Sequence, residues 1–587
     1  MKALYPKKKE CLVLVKNKTR SDNWLDAGDF RSFNHQSRMM QLGLRTDDWK
    51  NKPIIGVMNT WSDINPCHTH FKNRVEDVKR GVLQSGGMPL EIPCMSLFES
   101  INKPSAMLYR NLLAMEVEEL IRSYPIDGVI LMGGCDKTTP GLLLGAISMQ
   151  IPSIFIPAGP MLRGNYRGGT LGSGSDAFKY WDKYRVGDID QCELKGICGG
   201  LARSPGTCMT MGTASTMTSV VDAMGLTIPG ASSIPAVDVN HNRMCADAGS
   251  RIVDLVYKNI KPNDILTENA FKNGIAVSMA MGGSTNAAIH IIAMAKRAKR
   301  NITLDHFDYI SKKIPVIANI RPSGDKYLME DFYYAGGILS LMNRIKEELF
   351  TEEMTITGNT IGEVINKKEV FNDDVIRTLE NPIYKEGSLA ILKGNLAPDG
   401  AVIKVSASSS KFFKHSGPAV VFDDYNSLER FVENEEADIT ENHIIVLRNA
   451  GPKGGPGMPE WGMLPVPKRL LKKGVKDILR ISDARMSGTS YGTCILHVAP
   501  ESYVGGPLAL VRTGDIITLD IDSRLLNVEI SKEEMEKRKQ DWEKPQPRYE
   551  RGYGWMFLEH ILQANEGCDF DFLETSFGSP VKEPEIH

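Results

Sequence analysis

The sequence predicts an α/β protein with an N-terminal parallel sheet that carries helices on both faces and a C-terminal β-barrel-like domain. Two observations predict this architecture. In the first two-thirds of the chain, short apolar runs that end in Gly, Pro or Asn alternate with longer stretches of helical periodicity, as in repeated βαβ units. From about Glu386 onward, strand-like runs follow one another across Gly and Asp turns, which is typical of a barrel or a sandwich.

The predicted strands of the N-terminal sheet cover residues 53–59 (PIIGVMN), 127–133 (DGVILMG) and 151–159 (IPSIFIPAG). Between them, residues 70–86 and 105–125 place apolar side chains at helical spacing. These segments form the expected alternation of strand and helix, in which the strands lie parallel and the helices cover them.

The second part of the chain contains shorter strand-like segments with Gly or Asp turns, at residues 387–406, 443–451, 477–488 and 514–531. A charged stretch follows, and then a helical segment and a tail. We therefore expect an N-terminal α/β domain at residues 1–380, a β-rich domain at residues 381–565 and a C-terminal tail at residues 566–587. The tail is expected to dock on the N-terminal domain or on a neighbouring subunit.

The composition is that of a soluble globular protein, with 42% hydrophobic residues and a formal net charge of -2, which gives no sign of nucleic-acid binding. The apolar stretch CLVLV near the start is shorter than the secretory core of about 7 residues. No run reaches the ~18 apolar residues of a membrane span. We therefore expect a cytoplasmic protein without a membrane partner, whose ten cysteines are reduced thiols or metal ligands.

Three cysteines lie in loops that are rich in Gly and Pro. Cys67 (NPCHTHF) and Cys135 (GGCDKTTPG) each follow a predicted strand, and Cys208 (GTCMTMGTASTM) precedes a helix of small residues. Such folds bind ligands in loops at the carboxyl ends of parallel strands, and three thiolates that meet there would suit soft iron. The alternative is that a free cysteine is simply a small buried residue, which is the interpretation we adopt for the other seven.

Asp136 and Lys137 follow Cys135 directly. Only a loop can aim three consecutive side chains at one cavity, because neighbours on a helix or a strand point in different directions. A carboxylate is a hard ligand suited to Mg²⁺, whereas a thiolate is soft. The segment therefore indicates two different inorganic centres close together, and the alternative is a surface ion pair between Asp136 and Lys137.

Two further loops follow predicted strands in the C-terminal part. RNAGPKGGPGMPEWG (448–462) is rich in glycine but lacks the Gly-Lys-Ser/Thr ending of a nucleotide loop, and its Glu460 is either a hard-metal ligand or an exposed turn acid. DARMSGTSYG (483–492) places Ser487 and Thr489 on a tight turn without the Gly-x-Ser-x-Gly pattern of a nucleophile elbow. An unassisted serine is a poor base, so simple turn formation is the alternative.

Together these motifs resemble the iron–sulfur-dependent dihydroxyacid and sugar-acid dehydratases, in order and over nearly the whole chain. The stretches MGGSTNAAIH and GGPLALVRTGDIITLDI add to the resemblance. Within that family, the sequence is most similar to the pentonate (aldonic acid) dehydratases, which act on acids such as L-arabinonate or D-xylonate. Three features carry that finer resemblance: the stretch RGYGWMFLEHILQANEGCDFDFL, the terminal EPEIH, and Met486, where the branched-chain branch typically has Phe.

The resemblance implies a hydro-lyase that converts a sugar acid to its 2-keto-3-deoxy acid with the help of two inorganic cofactors. The implied ligands of a [2Fe–2S] cluster are Cys67, Cys135 and Cys208. The implied ligands of Mg²⁺ are Glu99, Asp136, Glu460 and a carboxylated Lys137.

The same resemblance assigns catalysis to Ser487, as the base, together with Lys137. It assigns substrate contacts to Thr489 and to His587, which would reach the site of a neighbouring subunit. A homodimer or homotetramer is therefore expected, and the expected small-molecule partner is the sugar acid.

Three alternatives remain open from the sequence. The same chemistry could act on the branched-chain dihydroxy acids of amino-acid biosynthesis or on a phosphorylated gluconate. A protein of another class, a non-catalytic iron–sulfur redox or sensor protein, could also hold a cluster. Three ligands and one open iron argue against simple electron transfer, which usually uses four protein ligands.

Overall fold

The computed structural model describes residues 18–573 and 581–586. Its N-terminal sheet consists of four parallel strands in the order β2-β1-β3-β4, followed along the chain by a small antiparallel hairpin of β5 and β6. In the register of the sheet, Ile55 pairs with both Pro89 and Gly128. The strands are β1 Ile54–Asn59, β2 Met88–Pro93, β3 Gly128–Gly133, β4 Ser153–Pro157, β5 Gly164–Tyr166 and β6 Gly169–Leu171.

The helices of this part surround the sheet and extend beyond it. They are α1 Asp22–Leu25, α2 Phe30–Gln41, α3 Thr46–Trp49, α4 Phe71–Gln84, α5 Arg110–Ser123, α6 Thr138–Met149, α7 Ser175–Arg185, α8 Gln191–Leu201, α9 Thr213–Ala223, α10 Val239–Lys258, α11 Pro262–Ile265, α12 Glu268–Ala280, α13 Asn286–Arg297, α14 Leu304–Ser311, α15 Met329–Tyr334, α16 Gly337–Arg344 and α17 Ile361–Ile365.

The helices cover both faces of the N-terminal sheet because the connections change direction. The chain passes from β1 to β2 on one side and then returns past β1 to β3 and β4. Since parallel crossovers are right-handed, this reversal places α4 on one face and α5 and α6 on the other. The packing agrees, since α4 contacts α10 and α5 contacts α6. The core between these layers is apolar, as in the wholly buried strand β3.

The C-terminal part contains an eight-stranded sheet that nearly closes into a barrel, in the order β14-β13-β9-β10-β11-β12-β8-β7. Lys393, just after β7, bridges to Leu525 of β14 and brings the two edges together. An apolar cluster that includes Ile403, Val446 and Ile517 forms its core. The strands are β7 Ala390–Leu392, β8 Gly400–Ile403, β9 Lys414–Phe422, β10 Ile444–Leu447, β11 Arg480–Ser482, β12 Cys494–Ala499, β13 Ile516–Asp520 and β14 Leu525–Val528.

Four helices accompany the barrel, namely α18 Tyr425–Glu433, α19 Lys468–Lys472, α20 Lys532–Gln540 and α21 Gly552–His560. After α21 the chain returns to the N-terminal part. The guanidinium of Arg110 donates to the carbonyl of Cys568 at 2.6 Å, and Arg297 forms a buried ion pair with Asp569 at 2.6 Å. These contacts fix the start of the C-terminal tail, which follows the barrel domain, to the helices behind the parallel sheet.

The predicted fold class is confirmed, and the three strands predicted in the N-terminal sheet are β1, β3 and β4. The sequence analysis did not single out β2, β9 or β12. Strand β2 has prolines at Pro89 and Pro93, which are tolerated because it is an edge strand. The domain limits at residues 380 and 565 stay predictions. Among the described residues, no helix is both long enough and apolar enough to cross a bilayer.

Candidate active site

The candidate site lies where the N-terminal sheet reverses direction. Strands β1 and β3 are neighbours, and the connections from their carboxyl ends run to opposite faces, which opens a crevice between them. Cys67 follows β1 and Cys135 follows β3, so the topology brings their loops together. The backbone N–H of Cys135 donates to Nε2 of His68 at 3.0 Å and joins the two loops directly.

His68 is a site residue that the sequence analysis missed, although it lies next to Cys67 in the quoted motif. It is fully buried, and its Nδ1 lies 3.0 Å from the hydroxyl of Thr60. Burial, with a smaller contribution from His70, lowers the pKa of His68 to about 3. The ring is therefore neutral, which leaves Nε2 free to accept the hydrogen bond from Cys135.

A cavity of about 280 Å³ lies above this crevice, between the two domains. Eight of the predicted site residues line it: Cys67, Glu99, Cys135, Asp136, Cys208, Glu460, Ser487 and Thr489. Lys137 is not part of the lining but is fully buried behind it. Residues 99, 135, 208, 460 and 487 come from separate loops, so only the folded chain brings these groups together.

The three thiols occupy one side of the cavity. Cys67 and Cys135 are buried and Cys208 is partly exposed. A hydrogen bond with Cys67, together with burial, raises the pKa of Cys135 well above its usual value, and burial raises the pKa of Cys208 to about 11. Adjacent neutral thiols of this kind become thiolates when a soft metal displaces their protons, so this donor set fits iron.

Three carboxylates occupy the neighbouring part of the cavity. One oxygen each from Glu99, Asp136 and Glu460 lies within 4.8 Å of the other two. Burial and the nearby Glu99 raise the pKa of Glu460 to about 7. Oε2 of Glu99 is buried and accepts no hydrogen bond from the described residues. Three converging hard oxygens fit a divalent cation such as Mg²⁺.

Two buried cations compensate these acids in the structure. Nζ of Lys137 lies 2.5 Å from Asp136 and 3.4 Å from Glu99. Arg485, which the sequence analysis did not single out, lies 3.1 Å from Glu460 and 3.3 Å from Glu99. Burial raises the pKa of Asp136, but Lys137 and Arg485 outweigh that effect and the net pKa is lowered. The alternative of an exposed ion pair between Asp136 and Lys137 is wrong, because both side chains are buried.

The loop after β11 contributes two hydroxyls, those of Ser487 and Thr489, to the lining of the cavity. Oγ of Ser487 lies 2.9 Å from Oγ1 of Thr489, and the backbone N–H of Thr489 lies 3.4 Å from Ser487 Oγ. Gly488 between them is pressed against the N-terminal domain, since a Cβ built there would lie 2.5 Å from the backbone N of Thr213. The residue type at 488 therefore sets how closely the serine approaches the thiols and carboxylates.

A second glycine supports the same loop. Gly174 has a positive φ of 65°, and a Cβ built on it would lie 1.8 Å from Oγ1 of Thr489. The sequence analysis missed this contact, because Gly174 and Thr489 are more than 300 residues apart and no local pattern relates them. The close approach of residue 174 fixes the position of the Thr489 hydroxyl beside Ser487.

His587 lies outside the described residues. The segment that precedes it, residues 581–586, lies along the N-terminal segment of the chain, where Glu583 pairs with Arg20 at 2.7 Å and the Ile586 carbonyl accepts a hydrogen bond from Arg31. Arg20 also contacts the carbonyls of residues just before β3. This segment is therefore at the amino-terminal edge of the sheet, whereas the cavity is at the carboxyl edge.

The two domains thus define an enzyme whose cavity combines thiols, carboxylates and a supported hydroxyl. The chain belongs to the dihydroxy-acid/6-phosphogluconate dehydratase family, whose N-terminal domain matches residues 52–364 and whose C-terminal domain matches residues 374–568. The predicted resemblance is confirmed. The ligand and catalytic roles of individual residues stay predictions.

Similar curated proteins carry sugar-acid names. The chain is 52% identical to 6-deoxy-6-sulfo-D-gluconate dehydratase of Pseudomonas putida, over 97% of this chain and 98% of that protein. It is 43% identical to L-arabinonate dehydratase of Rhizobium leguminosarum bv. trifolii, over 96% and 98% respectively. Dihydroxy-acid dehydratases such as that of Thermodesulfovibrio yellowstonii are more distant, at 38% identity over 91% of this chain.

Proposed function

We propose that this protein is a hydro-lyase that dehydrates a sugar (aldonic) acid, a pentonate such as L-arabinonate or D-xylonate, to the 2-keto-3-deoxy acid. The observation that carries the proposal is the single cavity that Ser487, three thiols and three carboxylates line together. The L-arabinonate dehydratase relatives at 42–43% identity support the choice of a pentonate. The branched-chain dihydroxy acids are the weaker alternative, since the relatives with that name are less similar.

The residues present fit both cofactors that the resemblance implies. Cys67, Cys135 and Cys208 would hold a [2Fe–2S] cluster, because they are thiols lining one cavity. Glu99, Asp136 and Glu460 would hold Mg²⁺, because their oxygens converge. When bound, these groups supply Lewis acidity towards the oxygens of the substrate.

Lys137 has two possible states in this proposal. As an ammonium group, it neutralises Asp136 and Glu99, as the ion pairs in the structure show. As a carbamate, it would carry negative charge and would become a further oxygen ligand for a cation. Mass measurement of the intact protein under carbon dioxide, compared with a Lys137→Arg variant, distinguishes the two states.

Ser487 would act as the base that removes the C2 proton. As the electrons of the C2–H bond form the C2=C3 double bond, the C3–O bond breaks and hydroxide leaves. The proton taken up by Ser487 Oγ converts this hydroxide to water and restores the base, and the enol tautomerises to the 2-keto acid. The two donors of Thr489 near Oγ would stabilise the deprotonated serine, which an isolated serine cannot achieve at neutral pH.

A second candidate is an aldonic acid with six carbons and a terminal anionic group. The 52% identity to a 6-deoxy-6-sulfo-D-gluconate dehydratase favours it. Lys103 lines the cavity and forms no ion pair with any residue in the described parts of the chain, so it is available to a terminal sulfonate or phosphate. In this alternative, Lys103 would bind the end of the substrate remote from the carboxylate.

The test is a panel of acids assayed for 2-keto acid formation after anaerobic reconstitution with iron, sulfide and Mg²⁺. The panel contains L-arabinonate, D-xylonate, D-gluconate, 6-deoxy-6-sulfo-D-gluconate and a branched-chain dihydroxy acid. The highest kcat/KM on a pentonate supports the first proposal, and the highest value on the sulfonated acid supports the second. A cluster that forms but leaves every acid unchanged would contradict both and favour a redox or sensor protein.

A further inference from the structure

Lys404 is a buried cation that the proposed chemistry does not yet use. It lies one residue beyond β8, and its side chain is fully buried. No carboxylate within residues 18–573 or 581–586 pairs with it, and burial alone lowers the pKa of Lys404 to about 7. Lys137, which is equally buried, instead lies within 3.4 Å of two carboxylates. An uncompensated buried ammonium group is unfavourable for folding, so stability does not explain Lys404.

The contact that Lys404 makes leads directly to the candidate base. Its Nζ donates to the carbonyl oxygen of Gly488 at 3.4 Å. That carbonyl belongs to the peptide group whose N–H, on Thr489, lies 3.4 Å from Ser487 Oγ. A single peptide group therefore connects Lys404 to Ser487, with its carbonyl end at the cation and its N–H end at the hydroxyl.

We propose that Lys404 is a positioning residue for Ser487, acting through the Gly488–Thr489 peptide group to stabilise a negatively charged Oγ. A cation at the carbonyl oxygen polarises the peptide group and makes its N–H a stronger donor. The effect is larger in a buried, low-dielectric site than in water. The Thr489 hydroxyl, 2.9 Å from Oγ, supplies a second donor to the same atom.

The packing around the loop holds this arrangement in place. Gly488 has no room to retreat, because a Cβ built on it would already lie 2.5 Å from the backbone N of Thr213 and 2.8 Å from the side chain of Ser284. The carbonyl of Gly488 is thus held between the N-terminal domain and Lys404. When Lys404 is protonated, its positive charge acts on a fixed dipole, which is the condition under which preorganised electrostatics lower a barrier.

The inference rests on the proposed function, and its test is the Lys404→Met variant, which has a side chain of similar length without charge. We expect kcat to fall about 10- to 100-fold while KM stays within about twofold, because the affected charge develops on Ser487 in the reaction. We also expect the midpoint of thermal unfolding to stay unchanged or to rise, because a buried charge is removed. A purely structural lysine would instead lower the midpoint when it is replaced.

Lys393→Met is the matched control, since Lys393 lies at the adjacent strand β7 and pairs on the surface with Asp305. It should keep both kcat and the unfolding midpoint. Two results would overturn the inference while the wild-type protein still turns over its acid. One is a wild-type kcat in Lys404→Met, and the other is a lower kcat together with a lower midpoint of thermal unfolding. A wild type that is inactive on every acid of the panel would contradict the proposed function, and the inference with it.

Discussion

The loop after β3, with Cys135 and Asp136, and the loop after β11, with Ser487 and Thr489, form two walls of one cavity, and the buried lysine beside each wall has a different electrostatic environment. In the first, the buried Lys137 lies between Asp136 and Glu99, so each charge has an opposite partner. Beside the second loop, the buried Lys404, which follows β8, contacts the backbone carbonyl of Gly488 and pairs with no carboxylate of the described residues. At the first wall, a metal cation can replace the ammonium group of Lys137 as the partner of the two acids. At the second wall, the positive charge of Lys404 lies near the hydroxyl of Ser487 without a carboxylate partner among the described residues. The loop after β3 is therefore suited to hold a cation, whereas the loop after β11 is suited to hold a base.

The largest expected effect comes from the thiol wall. Cys135→Ser should abolish both the visible absorption of a reconstituted cluster and 2-keto acid formation, because a serine hydroxyl replaces a thiolate ligand of soft iron. Iron content per protein, the visible spectrum and turnover are the measurements. Cys192→Ser, at an exposed cysteine of α8, should leave all three unchanged. If Cys135→Ser keeps the visible absorption and the turnover of the wild type, Cys135 is not a ligand of the cluster.

The next largest effect distinguishes the role of the wall with Ser487 from that of the wall with the thiols and carboxylates. Ser487→Ala should lower kcat by roughly 10²- to 10⁴-fold, since the general base is lost, while iron and Mg²⁺ content stay at wild-type values. Metal analysis and turnover on the same preparation measure both. Ser523→Ala, in an exposed turn of the barrel, is the matched control. If Ser487→Ala loses its metals as well, the proposal that one wall holds the metals and the other holds the base is contradicted.

A smaller effect tests how the hydroxyl wall is supported. In Gly174→Ala the new Cβ would collide with Thr489 Oγ1, so Thr489 must move away from Ser487. We expect kcat to fall about 10-fold, as for the misplacement of a supporting hydrogen bond. Gly187→Ala has a similarly strained φ of 84° but meets nothing within 4 Å, so it reports the backbone strain alone. Equal kcat values in the two variants would show that the contact with Thr489 has no role.

The most restricted effect, expected for only one kind of substrate, concerns substrate binding and not the chemical step. Lys103→Met should lower kcat/KM roughly 10-fold for an acid with a terminal sulfonate and leave it nearly unchanged for a pentonate, because only the former offers an anion to Lys103. Comparing the two substrates on one preparation supplies the internal control. An equal decrease in kcat/KM for both acids would show that Lys103 does not bind the terminal anion specifically. An unchanged kcat/KM for both acids would show that Lys103 does not bind substrate.

Much of the fold could be predicted because its signals are local. The apolar runs that end in Gly, Pro or Asn at β1, β3 and β4 are each visible within nine residues, and the strand-rich segments of the barrel are each visible within about twenty. Strands such as β9 and β2 could not be predicted in the same way. Polar residues and a proline interrupt β9, and only its neighbours β10 and β13 show that it lies within a sheet.

The same distinction between local and distant signals applies to the residues of the candidate site. Cys67, Cys135 and Cys208 could be singled out because Gly-rich and Pro-rich loops surround each of them. Arg485 and His68 stood within the quoted motifs, but one partner of each, Glu99 for Arg485 and Cys135 for His68, lies more than 60 residues away in the chain. Gly174 gave no signal at all, because the hydroxyl that requires a glycine there belongs to another domain.

The sequence by itself determined the chemical types: soft thiols, hard carboxylates and a hydroxyl, each on a loop after a strand. It also determined the alternation of strand and helix, since both depend on residues that are close along the chain. Only the tertiary structure decided that these groups share one cavity, that Lys137 is buried between two acids, and that Lys404 contacts the Gly488 carbonyl next to Ser487 with no carboxylate partner among the described residues. Charge compensation and close packing depend on atoms that are distant in sequence, so they exist only once the two domains have come together.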